Sequence, residues 1–449
     1  MGLTLVQRGS GHHPPRDPKI ALVLAGGAVT GGAFKVGGLK ALDEALVGRS
    51  VTEFDMYVGL SAGALLATSL AEGITPDEMI AALEGTSSRL SQLRPIDFYH
   101  PNLREILSRP AIFSARLAGY LPGLLLDLFS VLPELPGRVG PNLRRLLETP
   151  SYTHLEALLM RLFQEVSPKR EFPSLRSLWP SGFFENSALE RWLAGNMAAI
   201  GAPNRFAELY RETGKRLFIT ATNLDTAERV VFGPDNDHGL TISEAVQASS
   251  ALPGFFRPAR LNGVDYVDGG VRRTANLDVA VEHGADLVIC YNPFRPFLNV
   301  PRRDSGRRRG YLADRGLSAV IHQVFRTLLH TRLSLGLQAY LHDDRFRGDI
   351  VVIEARETDD QFFDLGPLAF WKRADAVRHG FDSVRSTLLE HADVLRPLFE
   401  SYGMDLRPTA EGSSAAEAEP APAPEAAVEE EQVSAAQSRI RLVKGHSAS

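Results

Sequence analysis

The stretch Val58-Gly59-Leu60-Ser61-Ala62-Gly63 places the tightest demand on how this chain can fold. It reads G-x-S-x-G, preceded by the apolar run Met56-Tyr57-Val58 and followed by an Ala- and Leu-rich segment from Ala62 to Glu72. Strand, sharp turn and helix in that order are the context of a nucleophile elbow. A serine on such a turn sits in strained backbone, and side chains two residues to either side would collide. Gly59 and Gly63 therefore read as a requirement for space. The hydroxyl then stands at a helix N-terminus, where backbone N–H groups favour developing negative charge. Taken alone, the pentapeptide also fits an ordinary glycine-containing strand–helix turn.

The residues before the elbow form a matching unit. Lys19 to Ala25 is nearly all apolar and reads as a strand buried on both faces, as in a parallel sheet. Gly26-Gly27-Ala28-Val29-Thr30-Gly31-Gly32 follows as a loop, and Ala33 to Leu46 reads as a helix. Such a loop can cradle a dinucleotide pyrophosphate, or its N–H groups can form an oxyanion hole. The dinucleotide pattern G-x-G-x-x-G needs glycine where Ala28 stands, and the next strand ends in a serine rather than a ribose-binding acid. The oxyanion reading is therefore favoured.

Further strands are expected at Arg216–Thr222, Arg229–Phe232, Gly263–Val267, Asp286–Cys290 and Ile350–Ile353. Helical segments lie among them: Ala188–Ala199 capped by Ser187 with Glu190, Thr241–Ser250, Asp278–Glu282, Gly316–Leu341, Ala374–Glu390 and His391–Tyr402. The alternation argues for an α/β fold, a three-layer α/β/α sandwich with a mainly parallel central sheet and a helical insertion. Residues 1–18 are expected to be a flexible N-terminus, 19–405 the domain, and 406–449 a disordered Ala/Glu/Pro-rich tail. The Pro-rich insertion covers residues 94–180. Its apolar centre, Ala111–Leu135, is expected to break at Pro122-Gly123, giving a helical hairpin packed on the domain or a lid resting on lipid. The Arg-rich run Val300–Gly310 reads as a solvated loop or a contact for anionic headgroups.

Composition removes several function classes. The formal net charge of −5 gives no argument for nucleic acid as a partner, and the single cysteine, Cys290, allows neither an intrachain disulfide framework nor a cysteine-rich metal site. No signal-peptide order or membrane-spanning apolar run is visible, so the expectation is a cytoplasmic protein, soluble or attached to a membrane surface.

A serine needs a proton acceptor to become a nucleophile. The histidines His238, His283, His322, His330 and His342 lie in turns, at a helix end or in the C-terminal helical region, where surface and packing roles are common. Asp268 ends a strand and is followed by Gly269 and Gly270, which leave room for close approach. A carboxylate within hydrogen-bond reach can act as the base directly. Asp265 and Asp278 read as an ordinary strand position and a helix start.

The ordered set G-G-A-x-x-G, G-L-S-A-G and D-G-G resembles the patatin-like phospholipase family, with supporting stretches at Ala33–Leu42, Thr220–Leu224 and Ala248–Gly254. The resemblance extends over residues 20–72 and 183–290, and more weakly to about residue 390. It implies a lipid acyl hydrolase with a Ser–Asp dyad, no metal and no cofactor, acting on lipid at a membrane surface or micelle. Carried over, Ser61 is the nucleophile and Asp268 the base. The backbone N–H groups of Gly26, Gly27 and Ala28 form the oxyanion hole, and Gly31 lets the loop turn into its helix. The family usually has glycine at the position of Ala28. Alanine keeps the N–H, so the hole survives where this position does not need positive φ. A non-catalytic lipid- or protein-binding scaffold and a Ser–His–Asp esterase are the alternatives, and the tail could carry a docking peptide for an unknown protein partner.

Overall fold

The computed structural model describes residues 2–7, 14–131, 133, 135–166, 173–299, 311–341, 346–356, 359, 362–363, 365–407 and 442–444. At its centre Ile20–Leu24 is buried at every position. Ile20, Leu22 and Leu24 enter one apolar cluster, whereas Ala21 and Val23 enter another on the opposite face of the sheet. A strand covered on both sides needs apolar residues at successive positions, which is what this run supplies.

The strands of the main sheet, in chain order, are β1 (Leu3–Gln7), β2 (Ile20–Leu24), β3 (Met56–Gly59), β4 (Arg216–Asn223), β5 (Arg229–Phe232), β6 (Ala259–Leu261), β7 (Val264–Asp268), β8 (Leu287–Asn292), β9 (Asp349–Glu354) and β10 (Leu442–Lys444). They run β10-β1-β9-β8-β2-β3-β4-β7-β6 across the sheet, with β5 also paired to β4. From β9 to β4 the pairings are parallel, and β7, β6, β5 and β1 join antiparallel. Helices α1 (Ala28–Ala45), α2 (Ala62–Ala71) and α3 (Pro76–Glu84) pack on one face, and the cluster there includes Phe34, Leu39, Ala67 and Met79. On the other face the helices Leu277–Glu282 and Leu317–Leu341 contribute Leu277, Val279, Leu333 and Leu337 to the second cluster, so three-layer α/β/α is the observed architecture.

The chain divides into two compact units, one of residues 1–100 and 185–449 and one of Pro101–Phe184. The second holds α4 (Leu103–Val131), α5 (Leu135–Glu148) and α6 (Tyr152–Val166). Its buried apolar residues include Phe113, Tyr120, Val139 and Leu158, whereas Leu126, Phe129, Leu147 and Tyr152 are exposed.

Several expectations are corrected. The break at Pro122-Gly123 does not occur: α4 continues through both Pro110 and Pro122. A proline removes one N–H from the ladder but leaves the remaining bonds of a long helix in place. The N-terminus is not wholly flexible, because Leu3–Gln7 pairs antiparallel with β9, with Leu3, Leu5 and Val6 buried. The tail is not wholly disordered, because Leu442–Lys444 pairs in parallel with β1 and Leu406 pairs with Leu46. Both terminal segments satisfy backbone groups that a bare sheet edge would leave open. The helix α7 (Ser187–Ile200) is capped at Asn186, without a capping box: the Asn186 amide donates to the Gln247 carbonyl, and Glu190 accepts from the Ser243 hydroxyl. The Arg-rich run 300–310 and most of the tail lie outside the described residues. Among the described residues, no helix is long and apolar enough to cross a membrane.

Candidate active site

The elbow forms where β3 gives way to α2. Ser61 has φ 55° and ψ −128° and immediately precedes α2. Its backbone is strained, as a serine held on a sharp strand–helix turn must be. Two glycines make room for it. A Cβ on Gly63 would lie 2.1 Å from the Leu24 carbonyl oxygen, and one on Gly59 would lie 2.5 Å from the Ala64 Cα.

Sheet register brings Asp268 to the same level. Gly59 pairs with Ile219, so Ser61, two residues on, stands level with Ala221, and Asp268 pairs with Ala221. Ser61 and Asp268 therefore approach each other across the end of β4. Asp268 is buried, and desolvation pushes its carboxyl up to about 6. Three interactions oppose that rise: a hydrogen bond with the Ser61 side chain, the Gly270 N–H, which donates to Oδ1 at 2.8 Å, and the positive charge of Lys35.

The glycine loop is shorter than expected. α1 begins at Ala28, not Ala33, so the loop proper is Gly26-Gly27. Gly31 lies inside the first helical turn, its N–H donating to the Gly27 carbonyl at 2.9 Å. The N–H groups of Val29 and Thr30 both donate to the Pro367 carbonyl. Among the described residues no acceptor takes the N–H groups of Gly26, Gly27 or Ala28. Ala28 has φ 51°, the left-handed region in which alanine is strained by about 1–2 kcal/mol. Positive φ is thus needed here, which accounts for glycine as the usual residue of the resembled pattern. Ala28→Gly is expected to hold stability within about 1 kcal/mol, since relief of strain offsets the added chain entropy. Ala28→Val, β-branched at positive φ, is expected to lower it by about 2 kcal/mol or more. Urea unfolding of the three proteins checks both.

Two residues outside the sequence expectation complete the site. Ser249, at the end of α9 (Ile242–Ser249) (the helix after α8, Phe206–Thr213), accepts the Ser61 N–H at 2.7 Å. Two residues on, the Ala251 carbonyl accepts the Asp268 N–H at 2.9 Å. One short segment thereby ties down both candidate reacting residues. Lys35, in α1, is fully buried and donates to the carbonyls of Ala25 and Gly26. Its sequence signal was a lone cation among the small and apolar residues Ala33-Phe34-Lys35-Val36.

Ser61 opens on an apolar cleft lined by Val29, Leu65, Leu83, Leu93, Trp192, Phe256 and Phe370, with Asn186 and Arg373 among the few polar side chains. The Arg373 guanidinium is engaged already, donating to the Leu83 carbonyl and lying over the Phe370 ring. Among the described residues no histidine lines this cleft. His283 Nδ1 lies 2.7 Å from the Val279 carbonyl oxygen, and His330 faces Glu354. Asp265 pairs with Arg260, and Asp278 pairs with Arg229 and Arg273.

VipD from Legionella pneumophila is 18% identical with a TM-score of 0.34, over 87% of this chain and 70% of that one. Full-length ExoU from the type III secretion system of Pseudomonas aeruginosa, in complex with SpcU, is 18% identical with a TM-score of 0.27, over 89% of this chain and 64% of that one. The probable lipid hydrolase 463L of Invertebrate iridescent virus 6 is 28% identical over 78 residues, which are 17% of this chain and 27% of that protein. The family model for patatin-like phospholipases matches residues 22–281, more than half of the chain, and takes in the glycine loop, Ser61 and Asp268 together. The chain belongs to the patatin-like phospholipase family.

Proposed function

We propose that the chain is a serine lipid acyl hydrolase that cleaves fatty-acyl esters through Ser61 and Asp268. Family membership supports the hydrolase class. The observation that carries the finer reading is Ser61 lining an apolar cleft while sheet register sets it level with the buried carboxyl of Asp268, on which its side chain acts. The acyl chain enters the cleft and leaves water for apolar walls. Asp268 takes the hydroxyl proton as Ser61 Oγ attacks the ester carbonyl. The oxyanion forms beside the N–H groups of Gly26, Gly27 and Ala28 and the start of α2, where one donor contributes about 2.7–4 kcal/mol. The proton passes to the leaving alcohol. Water then attacks the acyl-enzyme with Asp268 again accepting its proton, the acyl–Oγ bond breaks as that proton returns to Ser61, and the fatty acid departs. No step calls on a cofactor.

Substrate is met at a lipid surface, where the exposed Leu126 and Phe129 of α4 insert into the interface. The test is fatty-acid release from mixed phospholipid vesicles carrying distinct acyl chains at the two glycerol positions. Wild type is expected to release fatty acid and Ser61→Ala none. Leu126→Asp with Phe129→Asp is expected to lower vesicle binding at least about tenfold, since each buried apolar side chain contributes about 1.5–3 kcal/mol, and to spare turnover of a soluble short-chain ester. Folded wild type that hydrolyses neither vesicle lipid nor soluble ester contradicts the reading and favours a scaffold.

A further inference from the structure

Lys35 is a buried charged residue that the reaction above does not use. A fully buried ammonium costs several kcal/mol unless its surroundings stabilise the charge. No carboxylate hydrogen-bonds to it among the described residues; instead it donates to two carbonyls, Ala25 O and, at 3.2 Å, Gly26 O. These two carbonyls belong to the peptide units that carry the N–H groups of Gly26 and Gly27. In a trans peptide the C=O and N–H point in opposite directions. Gripping both carbonyls from behind therefore turns both N–H groups away from Lys35, and those are the donors that no acceptor takes.

Two titratable groups act electrostatically on the ammonium, Cys290 on β8 and Asp268 at the end of β7. Cys290 is itself held neutral by burial and by Glu354 on β9, so the charge Lys35 acts upon is that of Asp268. Burial brings Lys35 down to about 7, and Asp268 is one of the groups that oppose the fall. The interaction is reciprocal: whatever Asp268 does to keep Lys35 protonated, Lys35 does to keep Asp268 ionised.

We propose that Lys35 is a positioning residue that aims the Gly26 and Gly27 N–H groups at the reacting carbonyl and holds Asp268 in its ionised, proton-accepting form. The proposal rests on the Ser61–Asp268 reading. A merely structural lysine would lower activity equally at every pH, whereas this one also sets the acid limb of the pH profile.

The experiment compares wild type, Lys35→Met, Lys35→Gln, Asp268→Asn and Ser61→Ala as full chains. It measures kcat and KM for a p-nitrophenyl short-chain ester from pH 4.5 to 9, with folding checked by circular dichroism. Lys35→Met and Lys35→Gln are expected to lower kcat about ten- to a hundredfold at pH 8.5, with KM changed less than threefold. Their acid limb is expected to move up by at least half a pH unit. A folded Lys35 variant whose acid limb stays in place, beside an inactive Asp268→Asn, overturns the proposal and leaves the dyad standing. Loss of folding in both Lys35 variants makes the residue structural and also overturns it. An active Asp268→Asn enzyme overturns the dyad reading itself, and with it the proposal.

Discussion

Asp268→Asn is expected to lower ester turnover by about a thousandfold, the scale on which a positioned general base acts. The amide retains the shape of the carboxyl and can still accept from the Gly270 N–H, so the fold should survive. Stability should move the other way. Because burial raises the Asp268 carboxyl to about 6, its ionised form is a burden on the folded state. That burden is absent below the unfolded-state value and grows as pH rises through 6. Relative to wild type, the Asn variant should therefore gain stability between pH 4 and 7, as it loses activity. Urea midpoints at several pH values, set beside the rate, check the pair of effects. Wild-type turnover in this variant would instead require another base.

The second large effect is expected at Gly63. Gly63→Ala puts a Cβ 2.1 Å from the Leu24 carbonyl and 2.6 Å from the Ala25 carbonyl. Both neighbours are main-chain atoms at the end of β2, buried and unable to yield, so α2 must lift away from the sheet. Overpacking of this kind costs about 3 kcal/mol. The displacement also carries Ser61 away from Asp268, and activity should fall about a hundredfold or more, since 1 Å of misplacement is enough for that. Gly195→Ala is the matched control. It lies within α7, a Cβ there meets nothing within 4 Å, and Ala is the better helix former by about 1 kcal/mol. Unchanged or raised stability is expected for Gly195→Ala, by thermal unfolding, against a clear loss for Gly63→Ala.

Much of this arrangement is legible in sequence because local chemistry carries it. The elbow is written in five residues, and its glycines mark close backbone approach. The strands of the parallel centre follow from short apolar runs bounded by turns, whereas their order in the sheet does not. The helix expected over Thr241–Ser250 forms as Ile242–Ser249, whereas the capping box read at Ser187 and Glu190 does not form. What escapes is what depends on distant partners. Ser249 meets Ser61 across 188 residues of chain, and nothing near either residue marks the pairing. Lys35 stands among small and apolar residues, and that it reaches the Ala25 and Gly26 carbonyls is seen only in the fold, where α1 begins at Ala28 rather than Ala33. That early start is itself hard to read, because glycines at 31 and 32 argue locally against a helix. The terminal strand Leu3–Gln7 becomes a strand only because β9 offers it an edge. Pro122 is a breaker by local rule, and a long apolar helix continues through it.

The central claim, that Ser61 is the nucleophile and Asp268 its base, is tested most directly by trapping the covalent enzyme. Wild type, Ser61→Ala and Asp268→Asn are incubated with a long-chain alkyl fluorophosphonate, followed by intact-mass spectrometry and peptide mapping over time. The predicted result is a single adduct on Ser61 of wild type, none on folded Ser61→Ala, and labelling of folded Asp268→Asn slowed by at least a hundredfold. An adduct on another residue, or labelling of Asp268→Asn at the wild-type rate, would contradict the account.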